Sequence, residues 1–318
     1  MDKIRAGVVG VGYLGKFHAE KFADAEESEL VGVVDTDPAQ ADSIASKHGT
    51  RAMTDYRELL GRVDAVSIVV PTPHHYQIAK AFLENGVDVL VEKPMTTTIA
   101  EADELVEIAA KKALVLQVGH LERFNPAVKA VKDIIKQPIF IESNRLSMYQ
   151  PRGTDVSVVL DLMIHDIDII LTFVRSKIAY SHAMGAPVVS DHVDIANAHL
   201  EFENGAVANV TASRISSKSE RKIRVFQKDG YLSLDFANRS IMHIWPGEDG
   251  KSAPVPGMQM EERSFEQGDA LREEIHSFLD AVIQRGEPEV SGQMGREALH
   301  TALNITRQIR ESSRRFIG

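Results

Sequence analysis

GVVGVGYLG, residues 7–15, sets glycines at 10, 12 and 15 behind an apolar run that begins at Ile4. A G-x-G-x-x-G spacing alone is a weak signal. Here the run before it reads as a strand and the segment after it as a helix near 13–25, and Asp35 follows Gly15 by twenty residues, at the end of the next apolar run. That context is what a dinucleotide-binding loop requires. Gly10 permits the tight turn, Gly12 lets the backbone approach a pyrophosphate, and Gly15 lets helix and strand pack closely. Tyr13 and Leu14 lie inside the loop, where a helix N-terminus offers unpaired N–H groups to an anion. Asp35 is suited to accept hydrogen bonds from the adenine ribose hydroxyls and to repel a 2′-phosphate. Thr36, Asp37 and Pro38 bring no arginine for that phosphate, so the reading favours NAD over NADP.

Outward from this loop, short apolar runs at 4–10, 29–35, 64–70, 87–93 and 113–119 alternate with helical segments near 13–25, 38–48, 55–61, 75–85 and 98–112. Continuous apolar runs suit parallel strands covered on both faces, and the alternation predicts a doubly wound α/β sheet, a Rossmann domain over residues 1–122. After Gly119 the rhythm changes. A helix is expected at 125–136, a strand at 139–149 and a helix at 157–173. Two hairpins follow, 196–215 about Glu-Asn-Gly-Ala and 223–236 about Lys-Asp-Gly. Two helices near 269–284 and 293–313 close the chain after a Gly/Pro-rich loop, so residues 123–318 read as an α+β domain with an antiparallel sheet.

Composition narrows the function classes. The 318 residues are 43% hydrophobic and 26% charged, with a formal net charge of −10 and no Lys/Arg run, which disfavours nucleic acid as a partner. Cysteine is absent, which excludes disulfides and thiolate metal sites. The start DKIRAGVVGVG lacks a signal-peptide pattern, and no stretch of about 18 apolar residues offers a membrane span. The expectation is a cytoplasmic protein.

Two further stretches carry chemistry. VVLDLMIHDIDIIL (158–171) is an apolar helix in which Asp161, His165, Asp168 and then Thr172 share one narrow face, while Asp166 points elsewhere. VLVEKPMTTT (89–98) ends a strand with Glu92-Lys93-Pro94, holding a lysine at the carboxyl edge of a parallel sheet, where ligands of such folds bind. Alone, each has a bland reading: a satisfied core histidine and a solvated lysine. Asp161, His165 and Asp168 at i, i+4 and i+7 also have ligand spacing for a metal, but no metal is needed once a nicotinamide and a lysine share the work.

Taken together and in this order, the glycine loop, Glu92-Lys93-Pro94, and Asp161 with His165 resemble the Gfo/Idh/MocA oxidoreductase family over the whole chain. The resemblance implies an N-terminal Rossmann domain and a C-terminal α/β domain whose open antiparallel sheet serves for oligomerisation, as a homodimer or homotetramer. It also implies oxidation or reduction of a sugar or polyol carbon with NAD(P). Lys93 and His165 become the catalytic pair, and Asp161 holds the reacting hydroxyl. Thr72, His75 and Glu92 join Lys93 on the cofactor side, and the Lys-Pro peptide is expected to be cis. His165, neutral near physiological pH, is the base, and Lys93 favours alkoxide character on the substrate oxygen. VGHLERFNPAV (118–128) contributes His120, Arg123 and Asn125 to substrate binding, with an interdomain salt bridge as the other use of Arg123. These stretches look most like the branch that oxidises nucleotide-activated amino sugars, the UDP-N-acetylglucosamine 3-dehydrogenases. In that branch the 3-keto sugar passes to a pathway aminotransferase. Arg145, Arg152 and Arg214 are then candidates for the diphosphate. The alternatives are a free sugar or polyol dehydrogenase of the inositol type, and an NAD(P)-binding regulator without turnover.

Overall fold

A computed structural model describes residues 3–150, 156–247 and 256–313, in two compact units. The first holds the chain up to Phe124 together with Asp269–Leu299; the second holds Asn125–Gly268 and the chain from His300 onward. Among the described residues no helix is long and apolar enough to cross a membrane.

The first unit is built on β1 (Ile4–Val9), α1 (Gly15–Asp24), β2 (Ser28–Val34), α2 (Pro38–His48), β3 (Arg51–Met53), β4 (Ala65–Ile68), α3 (His75–Glu84), β5 (Asp88–Glu92), α4 (Ile99–Lys112) and β6 (Leu116–Gly119). Its sheet runs β3-β2-β1-β4-β5-β6, with every neighbouring pair parallel. The order reverses between β1 and β4, which makes the carboxyl ends of those strands the natural ligand crevice. Local chemistry sets the helix ends. Asp37 caps α2 ahead of Pro38, and Thr98 with Glu101 forms a capping box on α4. The segment expected to be helical at 55–61 is a single 3₁₀ turn, Tyr56–Leu59, capped by Asp55.

The second unit contains α5 (Pro126–Val131), β7 (Pro138–Leu146), a π-turn (Val159–Met163) running into α6 (Ile164–Val174), β8 (Ile178–Ala186), β9 (Ile195–Phe202), β10 (Val207–Ser213), β11 (Glu220–Gln227), β12 (Gly230–Asp235), β13 (Ser240–Pro246) and β14 (Met258–Ser264). These strands form one open sheet in the order β14-β13-β12-β11-β7-β10-β9-β8. Both expected hairpins are present, β9–β10 and β11–β12. The sheet departs from the expected antiparallel pattern at one place, where β10 lies parallel to β7. The chain leaves β7 and returns only after the helix and two strands, so no hairpin constrains that pair.

The closing helices are α7 (Ala270–Gln284) and α8 (Gly292–Ser313). A division at 122/123 assigns both to the second domain. The structure instead packs α7 with the first, because Ile275, Phe278, Leu279 and Val282 complete the core that Val8, Phe22, Val33 and Leu90 begin. Phe22 meets Phe278 edge to face, with ring centroids 6.4 Å apart.

Candidate active site

The glycine loop behaves as three different glycines. Gly10 has φ +84, and a Cβ there would sit 2.4 Å from the Val69 carbonyl oxygen. A Cβ on Gly15 would sit 1.8 Å from the Gly10 carbonyl oxygen, so this residue lets α1 start against the loop. At Gly12 a Cβ would meet nothing within 4 Å; the space over it is open. The helix begins at Gly15, two residues later than the sequence suggests, and no side chain caps it at Leu14. In its first turn the Lys16 N–H bonds the Gly12 carbonyl at 3.3 Å and the Phe17 N–H bonds the Leu14 carbonyl at 2.9 Å, so the opening that fits a pyrophosphate is the uncovered backbone at Gly12. Tyr13 and Leu14 are 68% and 53% exposed beside that opening, with the Lys16 ammonium over the Tyr13 ring.

Asp35 does more than wait for a ribose. One carboxylate oxygen accepts the Val11 N–H at 2.9 Å and the other accepts the Asp37 N–H at 3.1 Å. The carboxylate thereby ties the end of β2 to the glycine loop. An open backbone at Gly12, an uncapped helix start and a carboxylate at the tip of β2 together fit a dinucleotide.

At the tip of β5, the Lys93–Pro94 peptide is cis and Lys93 is half-buried. Glu92 accepts the Lys93 backbone N–H at 3.2 Å and stands 3.3 Å from His18 Nε2 on α1. The far ring nitrogen of His18 meets Ser67 Oγ on β4 at 2.9 Å. Burial alone would raise the Glu92 carboxyl, but His18 and Lys93 outweigh it and hold the group below its usual range. Gly119, opposite Glu92 in the sheet, makes room: a Cβ there would stand 3.0 Å from the Glu92 carboxylate.

Thr72 opens a 3₁₀ turn and is half-buried. His75, expected on the cofactor side, is only 1% exposed. Its ring nitrogens lie 2.7 Å from the Val70 carbonyl and 3.0 Å from that of Pro94. Burial lowers its pKa, so the ring is neutral and its single N–H serves one carbonyl at a time. The imidazole thus braces the turn after Lys93 from behind and presents no edge to a dinucleotide.

In 118–128, His120 and Arg123 are buried within the first unit, and an Arg123 Nη donates to the Met294 sulfur at 3.5 Å. Asn125, in the second unit, uses its side-chain oxygen to cap α5 by accepting the Ala127 N–H at 3.0 Å. Arg152 lies outside the described residues.

The apolar helix of the second unit does not run as one α-helix. Its first turn is a π-turn, in which the Ile164 N–H reaches the Val159 carbonyl, and Asp161 lies in that turn just ahead of His165. Asp161 and His165 are half-buried, whereas Asp168 is buried. Thr172 turns its hydroxyl back to the Asp168 carbonyl at 2.8 Å. Asp166, which the helical wheel sets apart, is as buried as Asp168 and pairs with Arg145 of β7. Arg145 Nη2 reaches it at 2.7 Å, and Nε lies 3.1 Å from each oxygen. Arg145 is therefore committed to fixing the helix that carries His165, which corrects its candidacy for a diphosphate. Arg214 is buried too; it donates to the Val156 carbonyl and stands 3.8 Å from Asp194.

Sequence reasoning passed over His18, Ser67 and Glu274. Glu274 had a readable signal: it sits on the apolar stripe of α7, three residues after Leu271 and four before Phe278. Among the described residues, one group of histidine and carboxylate ligand atoms lies close enough together to suit an ion, that of His18, Glu92 and Glu274, all within 4.8 Å of one another.

Comparison with known proteins agrees with this architecture. Residues 4–120 match the profile described as "Oxidoreductase family, NAD-binding Rossmann fold", and residues 140–233 match that of the GFO/IDH/MocA C-terminal domain. The chain is 38% identical over 306 residues to the UDP-N-acetylglucosamine 3-dehydrogenase of Acidithiobacillus ferrooxidans, covering 96% of this chain and 97% of that one. A solved structure of that enzyme superposes with a TM-score of 0.92 at 37% identity, over 97% of this chain and 98% of the other. The inositol 2-dehydrogenase of Rhizobium meliloti is 26% identical over 97% of each chain. An NAD-binding Rossmann unit, an open mixed sheet and full-length identity of this order have one consequence: the chain belongs to the Gfo/Idh/MocA family of NAD-binding oxidoreductases.

Proposed function

We propose that this oxidoreductase removes hydride from a secondary carbon of a nucleotide-linked sugar, C3 of UDP-N-acetylglucosamine, leaving the 3-keto sugar. The observation that carries the substrate is the 38% identity along nearly the whole length of an enzyme named for that reaction. The inositol-type relative stands at 26% over a similar span. Bound NAD supplies the hydride acceptor. The chain's own residues supply the rest. His165 takes the hydroxyl proton as a neutral imidazole, and the Lys93 ammonium stabilises negative charge as it grows on the same oxygen. Asp161, one turn ahead of His165, orients the hydroxyl. Lys93 is braced by Glu92 and by the His75-backed turn, so its backbone is held while its side chain works. His120, Arg123 and Arg152 remain assigned to the substrate side; Asn125 contributes through its amide nitrogen, since its oxygen caps α5.

The product, a ketone beside an acetamido group, calls for an amine-transferring enzyme as its consumer, and we place both in the cytoplasm. The open sheet of the second unit is assigned to a homodimer or homotetramer. The test is direct: mix the chain with NAD and UDP-N-acetylglucosamine and follow NADH absorbance. Turnover with that sugar and none with myo-inositol is expected. Turnover with inositol alone moves the substrate to the polyol class, and NAD binding without any NADH formation favours a regulator.

A further inference from the structure

Glu274 is the most anomalous charged side chain described in the first unit. It is fully buried on α7, and neither carboxyl oxygen has a hydrogen-bond donor. Its neighbours are Glu92 from β5 and His18 from α1. From β6 the Gln117 amide donates to the main-chain carbonyl of Glu274 at 3.1 Å, not to its carboxyl. Glu92 is already engaged, by His18 on one oxygen and by the Lys93 N–H on the other. Two carboxylates in one buried site do not both ionise, because each charge is costly without water and each raises the cost of the other. An unionised acid resolves the anomaly, since it carries no charge to be compensated and brings its own O–H donor to a carboxyl that no other donor reaches.

We infer that Glu274 is a protonated acid whose proton is shared with Glu92, so that Ser67, His18, Glu92 and Glu274 form a buried positioning unit behind Lys93. Burial, and after it the Glu92 charge, push the Glu274 carboxyl well above its usual range, in keeping with the neutral form. The consequence is an electrical one. Glu92 stays a single negative charge beside the lysine, held from α1, from α7 and from the backbone of Lys93 itself. The part played by Lys93 in turnover rests on the reading proposed above; the protonation of Glu274 does not.

The experiment compares wild type, Glu274→Gln and Glu274→Leu as full chains with NAD bound. Glutamine keeps a neutral donor of the same shape, whereas leucine fills the volume and donates nothing. Difference infrared spectra at pH 7 are expected to show the carbonyl stretch of an unionised carboxylic acid that disappears in Glu274→Gln. Glu274→Leu is expected to lower kcat about tenfold, the worth of one hydrogen bond to a charged group. Its NAD affinity should stay within about threefold, and Glu274→Gln should recover most of the loss in kcat. The pH midpoint for acylation of Lys93, read by mass spectrometry, should shift in the leucine variant and return in the glutamine one. Absence of the acid band, or leucine performing as well as glutamine, overturns the inference. So does stoichiometric zinc in the wild type that is lost in Glu274→Gln, since a metal would need the ionised carboxylate. If UDP-N-acetylglucosamine is not oxidised, the function fails while the infrared band and the acylation midpoint still decide this point.

Discussion

Replacing Gly12 and Gly15 by alanine, one at a time, separates a glycine kept for a ligand from a glycine kept for the fold. A methyl at Gly12 meets no protein atom within 4 Å, and the backbone there is outside the left-handed region. Stability should therefore be unchanged or rise by up to about 1 kcal/mol, through the lower entropy of the unfolded chain. The same methyl occupies the open space over an uncapped helix start, where the pyrophosphate must approach. Losing one hydrogen bond to a charged phosphate is worth about 1.5–3 kcal/mol, so the Kd for NAD should rise roughly tenfold to a hundredfold. At Gly15 the methyl would lie 1.8 Å from the Gly10 carbonyl oxygen, a backbone atom that cannot swing aside. That overlap should cost at least about 2 kcal/mol and lower Tm by several degrees. Thermal denaturation by circular dichroism and fluorescence titration with NAD measure both quantities on both variants. Wild-type NAD affinity in Gly12→Ala, or wild-type Tm in Gly15→Ala, would refute the division of labour.

Other consequences follow from single contacts. Lys93→Met should lower kcat by about two to four orders of magnitude with NAD affinity nearly unchanged, and steady-state kinetics showing normal turnover would remove the lysine from the chemistry. Asp166→Ala strips the buried Arg145 of its bidentate partner and should cost about 3–5 kcal/mol in urea denaturation, whereas a paired change of Arg145 and Asp166 to apolar residues should be far milder; equal costs would count against the ion pair. Asp194, fully buried, accepts the N–H groups of Val188, Val189 and Ser190, and although burial opposes it these bonds lower its pKa from 3.8 to about 2. A lowered pKa stabilises the fold above the unfolded value and is lost as pH falls through the folded one. About 2 kcal/mol should therefore vanish between roughly pH 4 and pH 2, and Asp194→Asn should flatten that part of the stability–pH curve; an unaltered slope would show that the bonds do not bias the proton.

Sequence alone determined the features that local chemistry dictates. Apolar runs alternating with amphipathic segments specify a parallel sheet wound with helices, and Asn-Gly and Asp-Gly between alternating runs specify hairpins, because each depends on neighbours in the chain. The glycine loop, Asp35 and Glu92-Lys93-Pro94 were legible for the same reason. Tertiary structure decided what depends on partners far along the chain. Asp166 points away from the polar face of the helical wheel, yet its partner Arg145 lies on β7, twenty-one residues earlier in the chain, and burial of both is settled by that meeting. His75 looks like a ligand contact until the Pro94 carbonyl claims it, and Asn125 keeps only its amide nitrogen for a ligand once the Ala127 N–H claims its oxygen. The return of α7 to the first unit brings Glu274 to Glu92 across more than half the chain. A residue's type announces what chemistry it is capable of, but its protonation and its task are fixed by the desolvation and the charges around it, and those exist only once the chain has folded.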